Sequence, residues 1–497
     1  MSAFASADER PVDALPMELT REFLAHHALC PRSVASDGSL RVAACDDSLL
    51  DGADDIAVAY RCAIRIERVP RPELDALIER LATRADRSVE LARIDAGADG
   101  TDSLATDVRD LANQPPVIRY VNLLVRDAYD AAASDIHLEA TRSGLSARFR
   151  IDGVLSPAPE PPSHLHHAVV SRIKLLAELD IAERRRPQDG RIRVRLESRE
   201  LDLRVSTVPT MYGESVVLRL LDHGGRPVSL DALGMAPDVW SAMTELSAAP
   251  HGLVLVTGPT GSGKTTTLYA ALARRDAAVE KIITVEDPIE YQLPGITQMP
   301  VHRHAGVSFA AALRAILRQD PDVVMIGEMR DRETAEIAIQ AAMTGHLVFS
   351  TLHTNDAISA VPRLVDLGIP EYLIAGTLEG VLAQRLVRRL CPDCREPYDP
   401  APEHVAFVRG GESGSTEFTR GSGCRNCRGT GFRGRVGVFE LVRVDAPFRD
   451  AIAARASRAS LHERASRAGL TPLRADGWRK VVAGITTVEE VIRVIQS

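Results

Sequence analysis

The stretch Leu253-Val254-Leu255-Val256-Thr257-Gly258-Pro259-Thr260-Gly261-Ser262-Gly263-Lys264-Thr265 decides the fold. Its first five residues form an apolar run, as expected of a strand buried on both faces. The glycine-rich turn that follows is a full GxxxxGKT, and Leu268, Ala271 and Leu272 then open a helix. Glycines let the backbone wrap its N–H groups around a phosphate, and the helix N-terminus adds partial positive charge. Lys264 is placed to reach the β and γ phosphates, and the Thr265 hydroxyl to ligate Mg²⁺. The candidate nucleotide cradle is therefore Gly258, Pro259, Thr260, Gly261, Ser262, Gly263, Lys264, Thr265 and Thr266. A chance glycine turn can spell such letters; the strand-loop-helix context argues against it.

Three later segments have the form of an apolar strand running into polar residues. They are Thr284-Val-Glu-Asp-Pro-Ile-Glu290, Pro321 to Asp331 with Glu328, and Thr344 to Asp356 with His346 and His353. Open α/β sheets bind ligands at the carboxyl ends of their strands, so these ends are expected beside the phosphate turn. Carboxylates there can orient water or hold Mg²⁺, and a histidine can contact a γ-phosphate. Each cluster alone could be a helix cap or a surface turn.

Upstream, Val117, Val121, Leu124 and Ala128 repeat at helical spacing behind Pro115 and Pro116. Leu145, Ala147, Phe149 and Ile151 alternate with arginines before an Asp152-Gly153 turn, and 192–196 and 201–205 repeat the alternation. The pattern predicts an antiparallel sheet with arginines on its wet face, flanked by helices. Residues 10–92 read as a small α/β module, either a docking domain or an inert one, with a helix over Glu73–Thr83. Residues 96–112, rich in Ala, Gly and Asp, read as a linker.

Two to four domains suit 497 residues. A net charge of −8 counts against a nucleic-acid binder, without excluding a local basic patch. The N-terminus carries Asp8, Glu9 and Asp13 where a signal peptide needs basic residues, and no apolar run of 18 occurs. These features predict a cytoplasmic protein that meets a membrane only through partners.

Cys391-Pro-Asp-Cys394 and Cys424-Arg-Asn-Cys427 are paired knuckles with the spacing of a tetrahedral Zn²⁺ site, and glycines at 421, 423, 429, 431 and 434 supply tight backbone. A redox pair is the alternative, disfavoured in a reducing compartment. Cys30, Cys45 and Cys62 lack such spacing and read as core residues.

The phosphate turn, TVEDPIE (284–290), PDVVMIGEMRD (321–331) and TGHLVFSTLHTND (344–356) resemble the Walker A, Asp box, Walker B and His box of the secretion ATPase superfamily. The resemblance runs from about residue 113 to the end, through SDIHLE (134–139), RFRIDGVL (148–155), RPQDGR (186–191), RVSTVPT (204–210) and the C-terminal helices. It implies an α/β fold: a RecA-like motor domain over 226–497 with a tetracysteine subdomain at 388–436. An α+β PAS-like domain at 113–225 and a partner-docking domain at 1–95 would precede it. It implies roles too. Glu290 would activate water, and Glu328 would stand near Mg²⁺ without help, because Gly327 replaces the usual aspartate. His346 and His353 would form the His box, and Arg204 and Arg219 would reach the phosphates from the second domain. A solvated strand-face arginine is the other reading of Arg204. Arg314 and Arg318 resemble arginines that contact a neighbouring subunit, and structural ion pairing suits them equally.

The implied whole is an ATP- and Mg²⁺-dependent hydrolase, a ring of six at the cytoplasmic face of the inner membrane, docked on secretion platform proteins. The cysteine insert favours type II secretion or type IV pilus assembly over retraction, and the compact first domain favours type II secretion. A nucleic-acid motor and a nucleotide-sensing scaffold are the rivals.

Overall fold

The computed structural model describes residues 10–12, 19, 21–35, 37–46, 52–60, 62–78, 81, 112–196, 199–222, 228–302, 306–410 and 417–496. The expected linker up to residue 111 and the end of the expected helix at Thr83 lie outside them. Two compact units make up the chain: Met1–Leu221 with Leu390–Glu396 and Arg420–Arg433, and Asp222–Arg389 with Pro397–Thr419 and Gly434–Ser497.

In the first unit, strands Arg10–Pro11, Leu29–Val34, Leu40–Ala44 and Ile64–Arg68 form a four-stranded sheet in sequence order. Leu24, Leu29, Leu40, Val42 and Ile56 close its core, and Leu74, Ile78 and Leu81 join them. Residues 71–78 are helical, as the leucine spacing requires. Cys30 and Cys45 are buried and Cys62 half-buried, which bears out their reading as core residues.

The same unit holds a six-stranded antiparallel sheet. Its hydrogen-bonded order runs Val154–Pro157, Gly144–Ile151, Ala133–Thr141, Gly213–Asp222, Arg199–Thr210, Gln188–Leu196. Helices Pro115–Asp130 and His166–Leu176 pack their apolar sides on it through Val117, Val121, Leu124, Val169 and Ile173. Each such side chain removed from water contributes about 1.5–3 kcal/mol. Pro115 and Pro116 start the first helix, where their missing N–H groups cost nothing. Lys174, fully buried, is held by the Glu214 carboxylate at 2.7 Å and the Glu183 carbonyl at 2.6 Å.

The second unit is built on seven strands in the order Thr297–Pro300, Ile282–Glu286, Val323–Ile326, Leu347–Leu352, Gly252–Thr257, Leu378–Leu390, Phe432–Arg443. The central strands run parallel and are buried along their whole length, so apolar residues need not alternate there. Helices cover both faces. Lys264–Leu272 and Pro237–Ser247 lie over one core cluster, and Phe309–Ile316, Arg332–Met343 and the C-terminal helices over the other.

Candidate functional site

Parallel register fixes what meets at the sheet edge. Thr257 stands opposite Leu352, Val285 opposite Ile326, and Ile326 opposite Ser350. The phosphate turn, the residues after Glu286, the Gly327-Glu328 pair and His353 therefore leave the sheet at one edge, as the motif order predicts.

The turn itself is shaped by positive φ angles: 149° at Gly258, 79° at Gly261 and 86° at Gly263, the last capping the helix that begins at Lys264. A Cβ on Gly258 would lie 2.5 Å from the Gln384 carbonyl oxygen, so the backbone approach there excludes any side chain. Lys264 curls over the turn and donates to the carbonyls of Gly258 (2.8 Å) and Pro259 (2.9 Å). Burial lowers its pKa to about 8; Glu328 opposes this and Arg385 reinforces it. Thr265 is half-buried in the first turn of the helix.

Glu328 takes the Arg330 guanidinium at 2.5 Å, and the same oxygen lies 3.5 Å from the His353 ring. Burial pushes the His353 pKa below its usual value, Lys264 pushes the same way and Glu328 resists. The carboxylates of TVEDPIE divide their work. Glu286 is buried and accepts from the Tyr269 hydroxyl, Thr284 Oγ1 (2.6 Å) and Gln298 Nε2 (3.1 Å), which makes it a structural hub. Burial raises its pKa. Glu290, half-buried, lies beyond the strand end. In the next segment Asp331 is spent as the N-cap of Arg332–Met343, its carboxylate accepting from Thr334 N at 2.9 Å.

His346 departs from expectation. Leu347 pairs with Gly252 at the amino ends of both strands, and the Gly252 N–H donates to the His346 carbonyl at 3.1 Å. Its ring contacts the Ala341 carbonyl (2.9 Å) and the Thr344 hydroxyl (3.1 Å). Six strand residues at about 3.3 Å each separate it from His353, so the two histidines stand at opposite edges of the sheet. His346 is not part of the phosphate site of its own chain.

Two residues that sequence reasoning missed support the turn from Leu378–Leu390. The Gln384 amide donates to the Ser262 carbonyl (2.8 Å) and accepts from Thr267 Oγ1 (2.6 Å). Arg385 beside it is equally buried. The signal was a Gln-Arg pair inside an otherwise apolar strand, at positions that cannot face water.

Arg204 and Arg219 lie on adjacent strands of the first unit. Arg204 pairs in register with Arg191, and Arg219 with Asp135. The buried Asp135 carboxylate aims the largely exposed Arg219 through a 2.9 Å hydrogen bond. Within one chain Arg314 pairs with Glu333 at 2.6 Å, and Arg318 donates to the Arg314 carbonyl.

The cysteine knuckles close on each other. Sulfur separations are 3.7 Å for Cys391–Cys424, 3.8 Å for Cys394–Cys427 and 3.7 Å for Cys424–Cys427. Four thiolates about 2.3 Å from a Zn²⁺ ion would define a tetrahedron with edges of about 3.8 Å. The site fits that ion. Backbone N–H groups of Cys424 (3.1 Å) and Gly431 (3.2 Å) point at the Cys427 sulfur and would stabilise its thiolate. A Cβ on Gly421 would sit 2.1 Å from the Gly431 carbonyl oxygen, which explains the glycines around the knuckles. Both knuckle segments group with the first unit.

Comparison with known proteins agrees with this geometry. The model of the type II/IV secretion system protein family matches residues 110–493. The chain is 52% identical over 389 residues to the type II secretion system protein HxcR of Pseudomonas aeruginosa, covering 78% of this chain and 79% of that one. It is 44% identical over 499 residues to the type II secretion system protein E of Xanthomonas campestris pv. campestris, covering 98% and 87%. The pilus retraction motor PilT, solved with bound ADP, superposes with a TM-score of 0.52 at 28% identity, covering 74% of this chain and 95% of that one. A family match across three quarters of the sequence, and a P-loop edge built as that family's motifs require, lead to one assignment: the chain belongs to the type II/IV secretion system protein family.

Proposed function

We propose that this chain is the ATP-hydrolysing motor of a type II secretion system, driving pseudopilus assembly and protein export. The observation that carries the proposal is the shared sheet edge, where Lys264, Thr265, Glu328 and His353 converge on the phosphate turn. Lys264 and the turn's N–H groups would hold the β and γ phosphates. Thr265 and Glu328 would hold Mg²⁺, whose charge offsets that of the phosphates. Glu290 would orient the attacking water.

Arg204 and Arg219 would serve as phosphate-sensing cations from the first unit, so that binding and hydrolysis drive a rigid-body cycle. The assembly would be a hexamer, with Arg314 and Arg318 facing a neighbouring subunit. The first 95 residues would dock on an inner-membrane platform protein. No helix among the described residues is long and apolar enough to cross a membrane, so attachment through a partner suits the chain. The four cysteines would hold a structural Zn²⁺ with no open coordination position.

The test is turnover in vitro joined to export in cells. Lys264→Ala should abolish ATP hydrolysis, and Glu290→Ala should bind ATP and fail to hydrolyse it. Both should stop export of type II substrates when they replace the wild-type chain. Near-normal turnover in either variant refutes the role assignment, and loss of pili with export intact reassigns the motor to pilus assembly.

A further inference from the structure

We propose that Arg385 is a second buried cation of the phosphate cradle, acting on the nucleotide's β and γ phosphates from behind the turn. Parallel pairing of Val256 with Leu382 and Thr257 with Ala383 brings Gln384 and Arg385 alongside Gly258, where the phosphate turn leaves the sheet. A Cβ on Gly258 would lie 3.3 Å from Arg385 Nη1, so only the absent side chain of a glycine separates the guanidinium from the turn.

Arg385 is 3% exposed, and its partners are not the ones a buried arginine normally finds. Nη1 donates to the Gln384 carbonyl at 3.2 Å. Nη2 donates to Asn355, to the carbonyl at 3.0 Å and to the side-chain oxygen at 3.4 Å. Nε is buried and has no hydrogen-bond partner. Among the described residues no carboxylate lies within ion-pair distance of it. Asp356 is engaged by Ser359 and Arg458, and Glu440 accepts from the N–H groups of Ala357 and Leu473.

A guanidinium taken out of water with only neutral acceptors is destabilising unless a negative charge arrives. Charge balance at the edge supplies the reason to keep it. Lys264 lies within the field of both Glu328 and Arg385, Arg330 pairs with Glu328, and Arg385 feels only Glu440 and Asp356, both already engaged. A polyphosphate held by the turn would therefore bring negative charge close to Lys264 and Arg385 together. In so poorly solvated a place one fixed charge acts over several ångströms. Asn355 follows His353 and Thr354, so the same guanidinium also ties the histidine segment to the strand Leu378–Leu390. That tie is the competing, purely structural role.

The proposal rests on reading the turn as a nucleotide site, and the test separates the two. A fluorescent ADP bound to the full-length chain is displaced by ADP and by AMP, which lacks the β-phosphate on which Arg385 would act. Arg385→Gln should weaken ADP about tenfold and AMP less than about twofold, and Arg385→Lys, which keeps the charge, should stay within about threefold of wild type for both. Unchanged ADP affinity in Arg385→Gln overturns the proposal. So does an equal loss for ADP and AMP, or a Lys variant as weak as the Gln one, since a structural tie predicts those outcomes. If the Gln variant does not fold, Arg385→Met, matched to the apolar surroundings, is read in the same series. Failure of the wild-type chain to bind ADP would instead refute the nucleotide site itself.

Discussion

The hydroxyl oxygens of Thr257 and Thr354 lie 2.7 Å apart, joining the strand that feeds the phosphate turn to the segment that carries His353. Thr257 Oγ1 also accepts from the Thr354 N–H at 2.9 Å. The Thr257 side chain is thus one direct link between the phosphate turn and the histidine segment.

Replacing Thr257 by Val leaves the Thr354 N–H without its acceptor in a half-buried place, while the Thr354 hydroxyl keeps its bond to the Asp356 carbonyl at 2.9 Å. The expected loss is about 1–3 kcal/mol of stability, seen as a lower urea midpoint, together with reduced turnover. Thr257→Ser keeps the hydroxyl and should restore both.

The histidines should separate in their effects. His353→Ala, at the phosphate edge, should lower kcat about tenfold or more. His346→Ala should leave ADP affinity unchanged, because its ring sits at the far edge on Ala341 and Thr344. A titration of ADP against both variants decides it; equal loss would place His346 at a phosphate after all.

The pKa of Lys264, lowered to about 8, sets a pH window for binding. Phosphate needs the charged ammonium, and that form is lost as pH rises through about 8. ADP affinity should hold below that pH and fall above it, approaching tenfold per pH unit. Lys264→Arg, charged throughout, should bind with no such fall. Calorimetry across pH 7–10 would show the difference.

Changing Cys391 and Cys394 to Ser should remove one bound metal ion per chain and lower the melting temperature. Metal analysis of the purified proteins checks the first, a thermal melt the second. Prolonged treatment with a strong chelator should reproduce the melt, and a wild-type chain without stoichiometric metal would contradict the cage.

Local chemistry was the legible part. The phosphate turn, the paired cysteines and the parallel sheet follow from spacing alone, because their residues are neighbours in sequence or repeat along one strand. Gln384 and Arg385 escaped because they reach the turn only through a strand order that sets Leu378–Leu390 beside Gly252–Thr257, more than a hundred residues away. Glu286 and Glu290 look alike in sequence, and burial alone separates a hydrogen-bond hub from a candidate base. The separation of His346 from His353 could also have been read from the sequence. An apolar stretch with a histidine at each end, laid out as one strand, must put those histidines at opposite ends of that strand.

The cysteine cage has a consequence for supply. All four sulfurs come from the chain, so an ion held there would have no open position for solvent or substrate and would exchange slowly once the protein is made. Demand for the metal then follows the rate of synthesis and is independent of how fast the motor runs. A cell short of that metal would build fewer working copies while those already assembled kept going, and export would fade with dilution at each division instead of stopping.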